Sequence, residues 1–114
     1  MKKFIVVFLI LSLIAIPAFA RSVLVKKAIT DENQFTNSIS LTHTGAIVIE
    51  DTGVISATFT LQVRAESGDA WVDSDTFTTA GGWYIHNPSG FEFRLGVKTG
   101  DFTSGTATVS VEGE

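Results

Sequence analysis

The chain has 114 residues, and the first twenty have the composition of an export leader, so residues 21–114 make one small domain at most. There is no cysteine, which excludes a disulfide framework, a thiolate metal site and a cysteine nucleophile. The leader contains two of the eight basic residues, so residues 21–114 contain six basic and twelve acidic residues. The resulting net charge of −6 disfavours binding to nucleic acid.

The N-terminal segment has the three parts of a secretory signal peptide. Two lysines precede an apolar stretch over residues 4–16, and the small-residue pattern Ala-Phe-Ala occupies residues 18–20. The apolar stretch is too short for a membrane span, which needs about 20 residues. We therefore expect cleavage after Ala20, no membrane anchor afterwards, and export to the periplasm or the extracellular space.

Residues 21–114 are rich in threonine and glycine and show no sustained helical periodicity, which predicts short strands joined by tight turns. In chain order, strands are expected over residues 23–28, 35–41, 46–49, 55–64, 71–78, 83–86, 91–98 and 106–112. Turn-forming residues separate them, notably at residues 51–53, 81–82 and 99–101.

Three of these segments alternate apolar and polar residues, so each is expected to have one core face and one solvated face. The core-facing residues are Ile55, Ala57, Phe59, Leu61 and Val63, then Phe91, Phe93, Leu95 and Val97, and finally Ala107, Val109 and Val111. In the less regular segment over residues 35–41, the inward residues are expected to be Phe35, Ile39 and Leu41.

Seven or eight strands at this spacing predict an all-β fold, a small antiparallel β-sandwich of jelly-roll or immunoglobulin-like type. A small closed barrel is the alternative. Residues 21–114 are expected to form a single domain. Residues 21–33 show the weakest alternation, and we expect them either to be mobile or to pair with a partner.

Three carboxylates, those of Asp69, Asp73 and Asp75, lie close together in the sequence. Odd positions of an extended strand share a face, so these oxygens are candidates for binding Ca²⁺. The spacing lacks the ligand-rich loop of calcium motifs, and the preferred interpretation is solvated acids that protect a strand from aggregation. We predict neither a metal nor a cofactor. Trp71 and Phe77 also occupy odd positions, so in a regular strand they would lie on the same face as these acids. Either a bulge in the strand or a position of the aromatic side chains at the rim of the sheet is therefore required.

An aromatic and polar cluster consists of Trp83, Tyr84, His86 and Asn87. Exposed aromatic side chains beside polar groups are typical of binding surfaces for carbohydrates and for proteins, so these four residues are the predicted binding site. In the alternative interpretation, Trp83 and Ile85 point into the core and Tyr84 lies at the rim.

No catalytic residue is predicted. The chain has two histidines, His43 and His86, and neither lies in a Ser-His-Asp pattern or a metal-binding spacing. Nucleophilic catalysis needs a base, a group that orients it and an oxyanion hole, and the sequence indicates no such set. We therefore expect a protein that is not an enzyme.

Residues 59–64, 68–78 and 93–107 resemble a family of small tailed-phage proteins. The most specific stretch is GVKTGDFTSGT, over residues 96–106. Members of that family are regarded as uncharacterised or virion-associated structural proteins, so the resemblance implies a structural module. Two features depart from the family: its Asp-Gly-Gly turn is Ser67-Gly68-Asp69 here, and an export leader is present.

These observations predict an exported, non-enzymatic structural or interaction module that is phage-virion-like, of the decoration, tail or fibre type. It is expected to act by self-association or by binding a protein partner, outside the cell membrane or within a virion. The alternative is a secreted carbohydrate-binding or adhesion module that contacts a cell-surface glycan. No nucleic-acid partner is expected.

Overall fold

The computed structural model describes residues 23–114, which form seven strands and no helix. The strands are β1 (Val23–Ile29), β2 (Gln34–Phe35), β3 (Ile39–Ser40), β4 (Gly45–Arg64), β5 (Val72–Phe77), β6 (Gly81–Ile85) and β7 (Glu92–Gly113). All strand pairs are antiparallel, so the predicted all-β antiparallel class is confirmed. The predicted signal peptide over residues 1–20 lies outside the described residues.

The two long strands β4 and β7 form a ribbon at the centre of the sheet and pair along their whole length. Each was expected as two shorter strands with turns at residues 51–53 and 99–101, and those turns are wrong. The chain continues through both segments in bulges, with register shifts between Asp51 and Phe59. Gly100 and Gly105 have φ values of +90° and +95°, which allows β7 to take up extra residues in these bulges.

The remaining strands flank the ribbon in two groups. β1 and β6 lie beside residues 45–51 and 107–113, and we call this the first half of the sheet. β2, β3 and β5 lie beside residues 59–64 and 92–97, which make the second half. Hydrogen bonds therefore join all strands into one sheet instead of two separate sheets. β1 and β5 are the two ends of the strand order, so this sheet does not close on itself.

Both halves contribute to a single hydrophobic core, because the odd-numbered side chains of β4 and β7 face inward in each half. The predicted core residues that are buried are Ile39, Leu41, Phe59, Leu61, Phe93, Leu95, Val97, Ala107, Val109 and Val111. Ile55, Ala57 and Val63 pack against them. Ile29, Ile47 and Ile49 complete the core.

Two predicted core residues lie elsewhere. Phe91 precedes β7 and is 42% exposed. The ring of Phe35 lies 4.3 Å from the guanidinium of Arg94, on the outer face of the second half. Phe35 occupies that position because β2 pairs with β7 at Gly96, where any Cβ would overlap the backbone of β2. Gly96 therefore permits the close approach of these two strands.

β1 comes from the segment that is expected to be mobile or to pair with a partner. From Val23 onward it pairs with β7 of the same chain, and Ile29 is fully buried at its end. Within residues 23–114, no strand pairs with its other edge. β1 is thus an edge strand of the first half.

Candidate functional site

A cleft of about 530 Å³ opens between β5 and β6, where the two halves of the sheet meet. This volume lies within the range of about 300–1,000 Å³ that is usual for small-molecule sites. The floor is apolar and includes Leu61 and Phe93 of the core with the partly buried Val63 and Ile85. The cleft therefore gives a ligand access to the side of the core.

Two aromatic rings link the halves at this cleft. The ring centroids of Phe77 on β5 and Trp83 on β6 lie 4.4 Å apart with a tilt of 41°. Phe91, in the loop before β7, and Tyr84 on β6 also line the cleft, and their side chains remain 42% and 80% exposed. The cleft thus combines a fixed aromatic pair with accessible rings.

Polar side chains line the rim. Ser74 and Asp75 belong to β5, and His86 and Asn87 follow β6 directly. All four are exposed. Their hydroxyl, carboxylate, imidazole and amide groups together can donate and accept hydrogen bonds around an apolar floor.

The four predicted binding residues all line this cleft. Trp83 and Ile85 pack against the core while Tyr84 is 80% exposed, which is the alternation of the second interpretation given above. Ser74, Asp75 and Phe91 join them, although sequence reasoning assigned Asp75 to an acidic cluster and Phe91 to the core. The sequence contains one signal for the position of Asp75. The mixed alternation of residues 71–77 already required either a bulge in this strand or aromatic side chains at the rim of the sheet.

A β-bulge in β5 separates the acidic residues. Asp73 pairs with Gln62 and Asp75 pairs with Leu61, with a register shift between these pairs. Asp75 therefore faces the cleft while Asp73 faces outward, so the expectation that the acids share one face is wrong. Asp69 lies in the turn after β4. Within residues 23–114, no group of three histidine or acidic residues is placed to hold a metal ion.

The outer face of the second half carries stacked cations and aromatic rings. The guanidinium of Arg94 lies 4.3 Å from the ring of Phe35 and 4.6 Å from that of Trp71. The guanidinium of Arg64 lies 4.2 Å from the same Trp71 ring. Such contacts contribute roughly 0.5–2 kcal/mol each, depending on desolvation. These side chains therefore cover this face of the sheet.

Ion pairs and hydrogen bonds connect the same face. Arg64 Nε lies 2.8 Å from Glu92 Oε1, and Lys98 Nζ lies 2.7 Å from Asp73 Oδ2. The Gln62 amide donates to Asp73 Oδ1 at 2.9 Å and accepts from Arg94 Nε at 2.7 Å. Gln62 is consequently buried, although the alternation placed it on a solvated face.

These contacts change the proton affinity of the groups involved. A hydrogen bond from the Ser67 hydroxyl, then one from Arg64, lowers the pKa of Glu92. Hydrogen bonds from Lys98 and Gln62 lower the pKa of Asp73, and Asp73 in turn raises the pKa of Lys98. Both carboxylates therefore stabilise the fold in their ionised form.

We expect the thermal unfolding midpoint to fall in acid. The ordinary pKa of an Asp is 3.8, and the folded protein lowers that of Asp73, so the unfolded chain takes up this proton first. The stability that Asp73 contributes is present above pH 3.8 and is lost as the pH falls through the lowered pKa. Circular dichroism melting curves at different pH values measure this loss.

Asp73→Asn should show a smaller loss of stability on acidification than the wild type. The matched control is Asp51→Asn, since Asp51 is exposed and makes no ion pair within the described chain. Identical acid dependence in Asp73→Asn and in the wild type would contradict the contribution of this ion pair.

Comparison of the chain with protein-family models, curated proteins and solved structures gave no significant match. Within residues 23–114, no helix is long and apolar enough to cross a membrane. Two features of the described fold are open to a partner or a ligand, namely the outer edge of β1 and the cleft between β5 and β6.

Proposed function

We propose that this chain is an exported, non-enzymatic structural module that acts by assembly. The observation that carries this proposal is the edge of β1. Within the described part of the chain, β1 pairs with β7 alone, so its other edge presents backbone N–H and C=O groups to solvent. Val23 and Leu24 on this strand are 48% and 52% exposed. Such an edge is a template for pairing with another strand.

β1 has few of the features that protect edge strands from pairing. Natural edges are short, bulged, interrupted by proline or charged. β1 has seven residues and no proline, and it pairs with β7 without a register shift. Its charges, Lys26 and Lys27, both follow the exposed apolar residues. The first three residues, Val23 to Val25, therefore present an uncharged stretch of this edge to the strand of a second copy.

The phage-like part of the proposal is supported by the resemblance of residues 59–64, 68–78 and 93–107 to small tailed-phage proteins. These stretches supply much of the second half of the sheet, including Arg64, Trp71 and Arg94 on its covered outer face. The side chains on that face have a structural role, because they stack on one another and cover the sheet. The first half, with its exposed β1 edge, is then the part that meets a partner in a decoration, tail or fibre assembly.

Export is supported by the leader over residues 1–20, with its paired lysines, apolar stretch and Ala-Phe-Ala pattern. A phage-like module with such a leader would work in the periplasm, outside the cell or on a virion. The second candidate function is a secreted carbohydrate-binding or adhesion module, and the observation in its favour is the convergence of Trp83, Tyr84, His86 and Asn87 on one cleft.

Light scattering of residues 21–114 over a range of concentrations tests assembly. We expect a dimer or larger species at high micromolar concentration. Leu24→Lys adds a charge to the exposed edge and should shift the protein to the monomer. The control is Val54→Lys, which makes the same change at a residue that is 91% exposed on β4.

The assembly proposal fails if the wild type is a monomer at these concentrations. It also fails if Val54→Lys dissociates the protein as much as Leu24→Lys does, because association would then not depend on the β1 edge. Far-UV circular dichroism of both variants verifies that the fold is retained.

A further inference from the structure

We infer that the cleft between β5 and β6 binds a neutral oligosaccharide, without hydrolysing it. This inference deepens the second candidate function and does not depend on assembly through β1. It rests on three features of the cleft, which are a fixed aromatic platform, a polar rim and the absence of lysine and arginine among its described lining residues.

The aromatic platform is the exposed ring of Phe91 above the apolar floor. The backbone of Phe91 is held on both sides: its N–H donates to the Pro88 carbonyl at 3.0 Å, and its carbonyl accepts from Leu41 N–H at 3.1 Å. Pro88 is itself buried. A large exposed aromatic side chain on a fixed backbone loses little conformational freedom on binding. The apolar C–H face of a pyranose ring matches such a surface.

The polar rim supplies the hydrogen bonds that a sugar needs. The Asp75 carboxylate accepts from hydroxyl groups, and the Asn87 amide both donates and accepts. Ser74 and His86 lie on opposite sides of the cleft and add further partners. An apolar floor with a few polar groups above it is the usual arrangement of a small-molecule site, and here it matches a ring with one apolar face and polar edges.

The charges at the cleft set the class of sugar. Asp75 is the one carboxylate among the described lining residues, and no lysine or arginine accompanies it. A uronic acid or a sulfated sugar would place its negative charge near Asp75 with no cation to neutralise it. The net charge of −6 over residues 21–114 acts in the same direction. The cleft therefore selects against acidic sugars.

The presence of a single carboxylate in the cleft favours binding of the sugar without its hydrolysis. Most glycoside hydrolases need two carboxyl groups, one on each side of the scissile bond. Asp75 has no second carboxylate opposite it among the described residues of the cleft. A bound oligosaccharide should therefore be released with all its glycosidic bonds uncleaved.

The test uses the Leu24→Lys variant of residues 21–114, so that failure of assembly and failure of this inference are measured separately. Arrays carry neutral oligomers of glucose, mannose and N-acetylglucosamine beside oligogalacturonate of matched length. We expect binding to at least one neutral series and weaker binding to oligogalacturonate. Titration calorimetry with the soluble hexamer of the best series then gives the affinity, and its mass after incubation should be unchanged.

Phe91→Ala and Asp75→Asn should each weaken binding about tenfold or more, which corresponds to about 1.4 kcal/mol. The controls are Val48→Ala, an exposed position on the outer face of the first half, and Asp51→Asn. Both should bind as tightly as the parent chain. Far-UV circular dichroism verifies the fold of every variant.

Three results would overturn the inference. The first is no binding of any neutral series at millimolar concentration. The second is equal or tighter binding of oligogalacturonate, which would reject the selection by charge while leaving a carbohydrate-binding function in place. The third is an equal loss of affinity in Asp51→Asn and Asp75→Asn, which would place the site outside the cleft.

Discussion

Replacement of Leu95 by alanine is expected to destabilise the protein by about 2–5 kcal/mol. Leu95 is fully buried on β7 and pairs with Leu61 of β4, in the second half of the sheet. The substitution removes buried apolar surface and leaves a cavity, because the paired strands around it restrict how far the neighbours can relax. Denaturant unfolding measures the change in free energy of unfolding.

The control for this prediction is Val54→Ala, which also shortens an aliphatic side chain but at a position that is 91% exposed. Its effect should stay within about 0.5 kcal/mol. Thr108→Ala, on the outer face of β7, should likewise change little. Equal small losses from Leu95→Ala and Val54→Ala would contradict the assignment of odd-numbered β7 residues to the core face.

The second large effect is expected for Gly105→Ala, at one of the bulges of the central ribbon. Gly105 has a φ of +95°, and a Cβ there would overlap the carbonyl oxygen of Val54 and lie 2.6 Å from the Cα of Ile55. Gly100 has a similar φ of +90°, but a Cβ there would meet no other atom within 4 Å. The two positions therefore share the backbone penalty and differ in the steric overlap.

Gly100→Ala should cost about 1–2 kcal/mol, which is the ordinary penalty of the left-handed region for an alanine. Gly105→Ala should cost more than about 4 kcal/mol or prevent folding, because backbone atoms of β4 must also move. Thermal and denaturant unfolding of both variants measure the difference. Equal losses at the two glycines would contradict the close approach of β4 and β7 at this bulge.

The strand-forming segments and most of the core follow from the sequence, because a period of two fixes which side chains of β4 and β7 face inward. The continuity of these strands does not follow from it. Residues 51–53 and 99–101 have turn composition, and a bulge uses the same residue types as a turn. The distinction is made by partners far along the chain, such as the 3.0 Å contact between the hydroxyls of Thr52 and Thr106.

The candidate site likewise has features that follow from the local sequence and features that do not. Local alternation in β6 is enough to place Trp83 inward and Tyr84 outward. The position of Asp75 depends on a bulge opposite Leu61, which local sequence cannot locate within its strand. The position of Phe91 depends on a local turn, in which its N–H donates to the Pro88 carbonyl, and on a hydrogen bond from the Leu41 N–H, which belongs to the tertiary fold.

The stacking of Arg94 between Phe35 and Trp71 was not predicted. β2, β7 and the residue directly before β5 are distant in sequence and must come together before these side chains can meet. Of these residues, Trp71 alone gave a signal, since its aromatic side chain shares the parity of both Asp73 and Asp75, which is a conflict in a regular strand with one core face. The bulge between Asp73 and Asp75 resolves that conflict, because it reverses the faces along β5.

Assembly through the β1 edge is tested most directly by hydrogen exchange at the amides of β1. Alternate amides of this strand point away from β7, and in a monomer they should exchange rapidly with solvent. We predict that these amides become protected at high micromolar concentration in the wild type and remain fast in Leu24→Lys. Equally fast exchange at low and high concentration in the wild type, with the amides of β4 and β7 protected throughout, would contradict assembly through this edge.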